Sequence, residues 1–528
     1  MLKRFRILAA AAALCAMVAH AEAKTFRFAN DGDVNSMDPY ARNETFLLAF
    51  LSNIYEPLAR RGKDLKLEPA LALEWSQPNA TTWRFKLRPN VKWHDGSAFS
   101  ADDVVFSMNR AAGQGSNMRG HFASMKEVRK IDGLNIEVEL KYPDPLFADK
   151  MAQIGIMSKA WSEKNGAENA ADLTKKEENY ATRNAMGTGP FMLKSREADV
   201  KTVLVPNPNW WDKPEHNLTD VEFSVIGNDA TRVAALLSGQ VDMLYTVPPQ
   251  DVTRIERTQG VRILQAPEFR MIFLGMDQQR DELLESSVKG KNPFKDRRVR
   301  LAFWQAIDTD AIKSRVMRGQ SNPVALMVAP GINGYMKELD VRPKYDPDAA
   351  KKLLAEAGYP QGFEVGMDCP NDRYVNDEAI CQAVVAMLAR VGVKVNLNAQ
   401  TRARYFQKIL RPAANTSFYM LGWTPGATYD VHNVFEQIMQ TPSVETKKGQ
   451  FNNGGWSNKR FDELSDAIER ELDPEKRNAM IAEAHKIHRD DVGHIPLHQQ
   501  ALVWAARDNI DLVQTPDNWF SLRFVRVK

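Results

Sequence analysis

WRFKLRPNVKWHDGSAFSADDVVFS, residues 83–107, sets out a strand, a turn and a capped helix in order. Trp83, Phe85 and Leu87 alternate with Arg84, Lys86 and Arg88, the period of a half-buried strand. Asp95-Gly96 supplies a residue that tolerates positive φ at the turn. Ser100 is placed to cap a helix, Asp102 and Asp103 in its first turn suit the positive end of the helix dipole, and Val104, Val105 and Met108 begin an apolar face. Local geometry yields a strand–turn–helix unit and, by itself, no function.

This run closely resembles the signature of periplasmic solute-binding proteins of peptide-type ABC importers, the dipeptide, oligopeptide and nickel-binding group known as extracellular solute-binding protein family 5. Two further stretches resemble the same family: ALLSGQVD at 235–242 and NPFKDRRVRLAFWQAID at 292–308. The resemblance covers nearly all of the chain after residue 23. It implies an α/β, two-lobed periplasmic-binding-protein fold (type II, cluster C) with an extra subdomain on the first lobe. Residues 24–55, 186–270 and 500–528 are then expected to form lobe I, 56–185 the added subdomain and 271–499 lobe II. The chain is expected to cross between lobes near Glu268–Met276 and to return near Ile495–Val503.

Residues 1–23 read as a cleaved secretory signal. Lys3, Arg4 and Arg6 make a positive start, Ile7 to Ala19 an apolar core, and Ala21-Glu22-Ala23 a small-x-small exit. The rival reading is a membrane anchor, but the apolar run falls short of the roughly 20 residues that span a bilayer. Cys15 follows the bulky Leu14, which argues against lipidation. A soluble periplasmic protein is expected. The formal net charge is +3, and removing Lys3, Arg4, Arg6 and Glu22 leaves +1. With charges of both signs interspersed, nucleic acid is not an expected partner. The 505 residues left after removing 23 from 528 exceed what one core holds, so two or three lobes are expected.

The two cysteines beyond the signal, Cys369 and Cys381, lie twelve positions apart around a Pro-Asn-Asp loop. An oxidising compartment favours a disulfide over a metal site, with two buried free thiols as the alternative.

Periodicity is mixed α/β throughout. Thr25 to Ala29 reads as a strand, Phe46 to Leu58 as an amphipathic helix, and Ala230 to Leu237 as a helix stopped at Gly239 before a strand at Val241 to Tyr245. Asp346-Pro347 starts a helix that ends at Gly358. Strands at 363–368, 393–398 and 417–421 then alternate with helices at 376–391 and 402–410, the pattern of a parallel sheet with crossover helices.

No Gly-x-Ser-x-Gly elbow, phosphate loop, Rossmann glycine set or His-Glu-x-x-His occurs, and no enzyme and no cofactor are expected. His485, His488, His494 and His498 tempt a metal assignment, but Gly493 and Pro496 break the helix that would align them. They are read as a helix surface followed by a lobe crossing. Asp102-Asp103 and Asp490-Asp491 are read as helix-end or solvated charges.

Candidate ligand contacts cluster in two loops. Arg373 and Tyr374 follow a presumed parallel strand at its carboxyl end, where open α/β sheets place ligands. Arg373 suits a carboxylate, and Tyr374 offers a ring and a hydroxyl. Gly422-Trp423 matches the family's cleft motif, in which the Trp packs on the solute. Dipeptide and oligopeptide binders carry an Asp three positions after this Trp for the ligand's α-amine, and this chain has Gly426. Oligopeptide-type members have an Arg three positions before it, and this chain has Met420. Asp430 is a candidate for the missing carboxylate. Asn35, Ser36, Asn43 and Arg404 are weaker candidates, each as readily a turn or surface residue. The Gly187-Thr188-Gly189-Pro190 turn suggests tight backbone rather than chemistry.

The expected function is capture of a small peptide, an opine-like conjugate or another carboxylate-bearing solute between two lobes, for delivery to the permease subunits of an ABC importer in the inner membrane. A monomer is expected. The alternatives are nickel or metal-chelate binding in the same fold, and a periplasmic peptide chaperone or sensor.

Overall fold

The computed structural model describes residues 23–446 and 448–528. All but the last residue of the expected signal at 1–23 lies outside them. Strands join in one mixed sheet, in the order Lys394–Gln400, Glu364–Pro370, Phe418–Trp423, Val261–Met276, Ile495–Arg507, Met243–Leu244, Thr25–Asn30, Asp220–Val225, Lys201–Pro206 and Phe191–Glu197. Ser321–Pro323 adds to Ile495–Arg507 from the side.

Two strands dominate this order. Val261–Met276 and Ile495–Arg507 run antiparallel over almost their whole lengths, 16 and 13 residues. At about 3.3 Å per residue the longer one extends about 50 Å. Its first half, Val261–Pro267, faces Ala501–Arg507, and the latter also pairs with Met243–Leu244 on the N-terminal side. Its second half, Met271–Met276, pairs with Phe418–Trp423 on the other flank. The chain therefore passes from one body to the other on the first strand and returns on the second. The register shifts between Pro267 and Met271 and again between Ile272 and Phe273, where irregular pairing bends a ladder.

The N-terminal body packs around Phe26 and Phe28, which alternate inward on Thr25–Asn30. Phe28 lies 5.1 Å from Phe223 and 5.3 Å from Phe520, so the first strand and the C-terminal segment share one aromatic core. A separate antiparallel sheet, Ala72–Asn79, Thr82–Leu87, Asn135–Leu140 and Met125–Asp132, forms the added unit. Trp83, Phe85 and Leu87 point inward while Arg84 and Lys86 face water, and Gly96 has φ +86°. The helix Ala101–Ala112 follows, with Asp103 accepting from the Ser100 N–H (2.9 Å) and from its hydroxyl (3.2 Å). Asp103 is not solvated, however. Its other oxygen takes the Lys159 N–H at 2.9 Å and so ties the helix start to the helix Lys159–Lys164, while Asp102 pairs with Lys130 at 2.6 Å. Arg110 at the far end is buried with Asp38 in a bidentate pair of 2.9 and 2.5 Å, which fixes the added unit to the turn after the first strand.

In the C-terminal body, Glu364–Pro370 pairs in parallel with Lys394–Gln400 and meets Phe418–Trp423 in the same sense. The connecting helices are Asp377–Ala389 and Arg402–Ile409, and the helix Pro347–Glu356 is capped by Asp346. Two expectations need correction. The helix expected over Phe46–Leu58 is Thr45–Leu51, because Ser52 and Asn53 side chains donate to the Ala49 carbonyl and terminate it. The four histidines near 485–498 do not lie on a helix surface. All are buried: His485 Nε2 donates to the Gly334 carbonyl at 2.9 Å, and His488 meets His494 at 3.0 Å. Asp491 does stand at a helix end, where it is bound to Arg300 (2.7 Å) and to the Trp456 indole (2.7 Å).

Glycine is required at the Gly187-Thr188-Gly189 turn, since a Cβ on Gly187 would lie 1.8 Å from the Ile54 carbonyl oxygen. Cys369 and Cys381 are joined by a disulfide that closes the short loop leading into the helix Asp377–Ala389. A loop of that length predicts about 3 kcal/mol of stabilisation. Urea unfolding of the Cys369→Ser, Cys381→Ser double variant is expected to show that loss, and an unchanged midpoint would mean the thiols are free in the native protein.

Candidate functional site

The site lies where the crossing strands meet the loop after Glu364–Pro370. That loop is held from three directions. The disulfide fixes its base. Asp377 accepts the N–H groups of Arg373 and Tyr374, both at 2.9 Å, and that of Glu378 at 2.9 Å. Gln500, on the returning strand, accepts the Val375 N–H at 3.2 Å.

Gln500 extends the network inward. Its amide donates to Glu268 Oε2 at 2.7 Å, and Glu268 Oε1 accepts from Arg270 Nε at 3.1 Å. Arg270 is 7 % exposed. Its two terminal nitrogens have no hydrogen-bond partner among the described residues. Burial acts to lower the Arg270 pKa, but Glu268 and Tyr374 outweigh it, so the guanidinium stays firmly charged. Glu268 thus gives one oxygen to Gln500 and the other to Arg270. A buried guanidinium with two free, parallel N–H donors is built to take a carboxylate in bidentate fashion.

Of the residues singled out in the sequence, Arg373, Tyr374, Gly422 and Trp423 come together around this network. The Arg373 guanidinium stacks over the Tyr374 ring at 5.1 Å and forms no ion pair among the described residues. Tyr374 is buried, its hydroxyl 3.4 Å from the Gly422 carbonyl. A Cβ on Gly422 would come within 2.7 Å of the Tyr374 ring and 2.8 Å of Ile272, so the glycine makes room for the tyrosine. Trp423 is half-buried, donates to Asn433 at 2.8 Å and packs on Phe451 at 4.7 Å.

The others stand apart. Asp430 is 0 % exposed; Arg477 takes both its oxygens at 2.7 and 2.8 Å, and Asn333 and the His432 N–H add to them. The expectation that Asp430 supplies a ligand carboxylate gives way to an internal ion pair that caps the helix Val431–Val434. Ser36 is buried in its own turn, accepting the Asp38 N–H at 3.0 Å. Asn35 is exposed with φ +49° and bonds the Asp33 carbonyl, a turn role. Asn43 and Arg404 are exposed. Sequence reasoning missed Glu268, Arg270 and Gln500. A signal existed: two opposite charges two positions apart, at the head of an apolar strand expected to cross between lobes.

The two bodies touch around the site. Arg61 Nη2 donates to the Ala427 carbonyl at 2.7 Å, the Tyr429 hydroxyl donates to Asp517, and the Tyr142 hydroxyl donates to Glu469 at 2.9 Å.

Arg477→Ala leaves the Asp430 carboxylate buried and uncompensated, and a loss of about 3–5 kcal/mol is expected in urea unfolding. A loss under about 1 kcal/mol would show that Asp430 is free to reach water. Burial raises Asp377 to about 6, from 3.8. The native state thus holds a proton that the unfolded chain releases between those values. This contribution is fully present below pH 3.8 and is lost as pH rises through about 6. The stability of wild type relative to Asp377→Asn is expected to fall by up to ~1.4 kcal/mol per pH unit across that window; a flat difference would refute the assignment.

The family model of bacterial extracellular solute-binding proteins, family 5 middle region, matches residues 66–444. The glutathione-binding protein GsiB of Escherichia coli K12 is 25 % identical over 523 residues, covering 97 % of this chain and 96 % of that protein. Among solved structures, a dipeptide binding protein from Pseudoalteromonas sp. SM9913 in complex with Met-Leu superposes with TM-score 0.82 at 20 % identity, covering 96 % of this chain and 100 % of that one. The Helicobacter pylori periplasmic binding protein DppA in complex with the peptide STSA gives 0.80 at 22 %, covering 95 % and 98 %. The matched model spans most of the chain, the fold is that of type II periplasmic binding proteins, and this protein belongs to the bacterial extracellular solute-binding proteins of family 5.

Proposed function

We propose that this protein captures a small peptide or peptide-like solute by its carboxylate, in the periplasm, and delivers it as a monomer to the inner-membrane permease of an ABC importer. The observation that carries the reading is Arg270: a buried guanidinium at the crossing between the lobes with two uncommitted N–H donors. A carboxylate there would meet a charge already desolvated and held in place by Glu268, so little reorganisation opposes binding. Arg373, Tyr374 and Trp423 supply a second charge and aromatic surface from the other lobe. A solute touching both sides favours the closed arrangement by the difference in its affinity for the two states.

The reading takes 24–55, 186–270 and 500–528 as one lobe, 56–185 as its added subdomain and 271–499 as the other. An oxidised Cys369–Cys381 pair and a cleaved leader fit export, and no helix of the described residues is long and apolar enough to cross a membrane. Glutathione and peptide ligands named for the relatives share a carboxylate beside amide groups, the chemistry that Arg270 suits. The absence of an acidic residue at Gly426 favours solutes whose amine is blocked or distant over ordinary dipeptides.

Calorimetric titration of the mature protein with glutathione, di-alanine and N-acetyl-di-alanine tests this. Whichever binds is expected to lose about 100-fold in affinity in Arg270→Ala, the scale of removing a desolvated charge partner. Arg270→Lys should fall between, keeping the charge without the fork. Binding that ignores Arg270→Ala, or no binding by any of the three, would overturn the reading.

A further inference from the structure

Tyr142 follows the strand Asn135–Leu140 of the added unit and reaches across to the C-terminal body. Its hydroxyl donates to Glu469 Oε1 at 2.9 Å, and the Arg470 guanidinium lies over its ring at 4.7 Å. Glu469 and Arg470 end the helix Lys459–Arg470, so two adjacent residues of one body grip the polar edge and the face of a single ring from the other. We propose that Tyr142 is a latch: a positioning residue of the added unit that does not touch the solute and that sets how long a solute is retained by holding the two bodies together. The inference rests on the reading that the solute is captured between the lobes, and it gives the added unit a part in that capture.

Both sides of the contact are set in place by their own bodies. In the added unit, Asp144 is 1 % exposed and fixes the segment after Tyr142. It accepts from the Ser124 hydroxyl and the Lys150 ammonium, both at 2.6 Å, and from the Leu146 N–H at 3.1 Å. In the C-terminal body, Glu469 is 6 % exposed, and its second oxygen stands 3.7 Å from Lys448 Nζ, which is bonded to Asp466 at 2.6 Å. Neither partner has to be ordered when the bodies meet, so little of the attraction is lost to ordering.

Charge across the boundary acts in the same sense. Burial works to lower the Lys150 pKa, but Asp144, with Glu436 and Glu469 of the C-terminal body, outweighs it and keeps the ammonium charged. A cation of the added unit thus faces two carboxylates of the other body. Burial and the Glu469 charge raise the Tyr142 pKa, so the phenol stays the donor. A neutral donor on a carboxylate also suits a contact that must open. On separation water can replace the hydroxyl at Glu469, whereas parting a buried ion pair such as Asp430 with Arg477, which lies within one body, would strand two charges.

The first arm of the test needs no solute. Nitroxide labels on Ile131→Cys and Leu472→Cys, exposed positions of the two bodies, report their separation in the mature protein by pulsed electron spin resonance. Tyr142→Phe keeps the ring and removes the donor; Glu469→Gln keeps an acceptor and removes the charge. Each is expected to move the distance distribution to longer values, and the double variant no further than the larger single shift. Thermal unfolding should hardly move, which separates a latch from a folding contact. In the second arm, whichever of glutathione, di-alanine and N-acetyl-di-alanine binds should dissociate about tenfold faster from Tyr142→Phe, the scale of one hydrogen bond to a charged acceptor. Distances unchanged in both variants, or unchanged dissociation of a probe that binds, would overturn the inference. If a probe binds through Arg270 while the distances stay fixed, only the latch falls; if none of the three binds, the reading of the cleft falls and the distances alone decide the latch.

Discussion

Everything in this molecule hangs on two antiparallel strands that pass between its halves. A hydrogen-bonded ladder resists stretching and shear but yields to twist and bend where its register slips. Here it slips between Pro267 and Met271, and Glu268 and Arg270 occupy that interval. The charged groups of the cleft thus sit at the point where a relative rotation of the lobes would be felt most. A solute held by Arg270, as proposed, would engage the joint itself, and the loop carrying Arg373 and Tyr374 is coupled to the same joint through Gln500.

Buried ion pairs position the surrounding loops. Asp38 with Arg110, Asp33 with Arg196, and Asp430 with Arg477 are each a bidentate pair with little or no exposure. Such pairs contribute little net stability, because desolvation offsets most of their attraction. What they supply is a single geometry. Each links a loop to an element distant in sequence, and each would leave a naked charge if the loop moved away.

Local order was well written in the sequence. The alternation at Trp83, Phe85 and Leu87, the Ser100 cap and the strand–helix succession from Asp346 to Leu421 all depend on neighbours within a few positions, and those are what a pattern records. The helix after Phe46 was overextended because its apolar spacing continues past Leu51, while two polar side chains turn back onto the carbonyls. Asp430 looked available because its partner lies 47 positions away. Arg270 escaped notice for the converse reason: a charge in a strand reads as solvent-facing until the strand is known to be covered on both sides. Arg373 and Tyr374 were singled out by their place at the carboxyl end of a parallel strand, and Trp423 by its resemblance to a family motif; in local terms they are a cap and a core residue.

The buried histidines carry a consequence for the molecule's tolerance of acid. Burial holds His485 near 4 and His494 and His498 near 3, with His488 well below its ordinary value. In the unfolded chain each would bind a proton near 6.5. As the medium acidifies, protons therefore accumulate on the unfolded form while the native imidazoles stay neutral, and the balance tilts toward unfolding. Two of the four, His494 and His498, lie beside or in the returning strand, and His498 has neither ring nitrogen bonded among the described residues. Acid thus weighs on this fold from within, through imidazoles buried close to where its halves join.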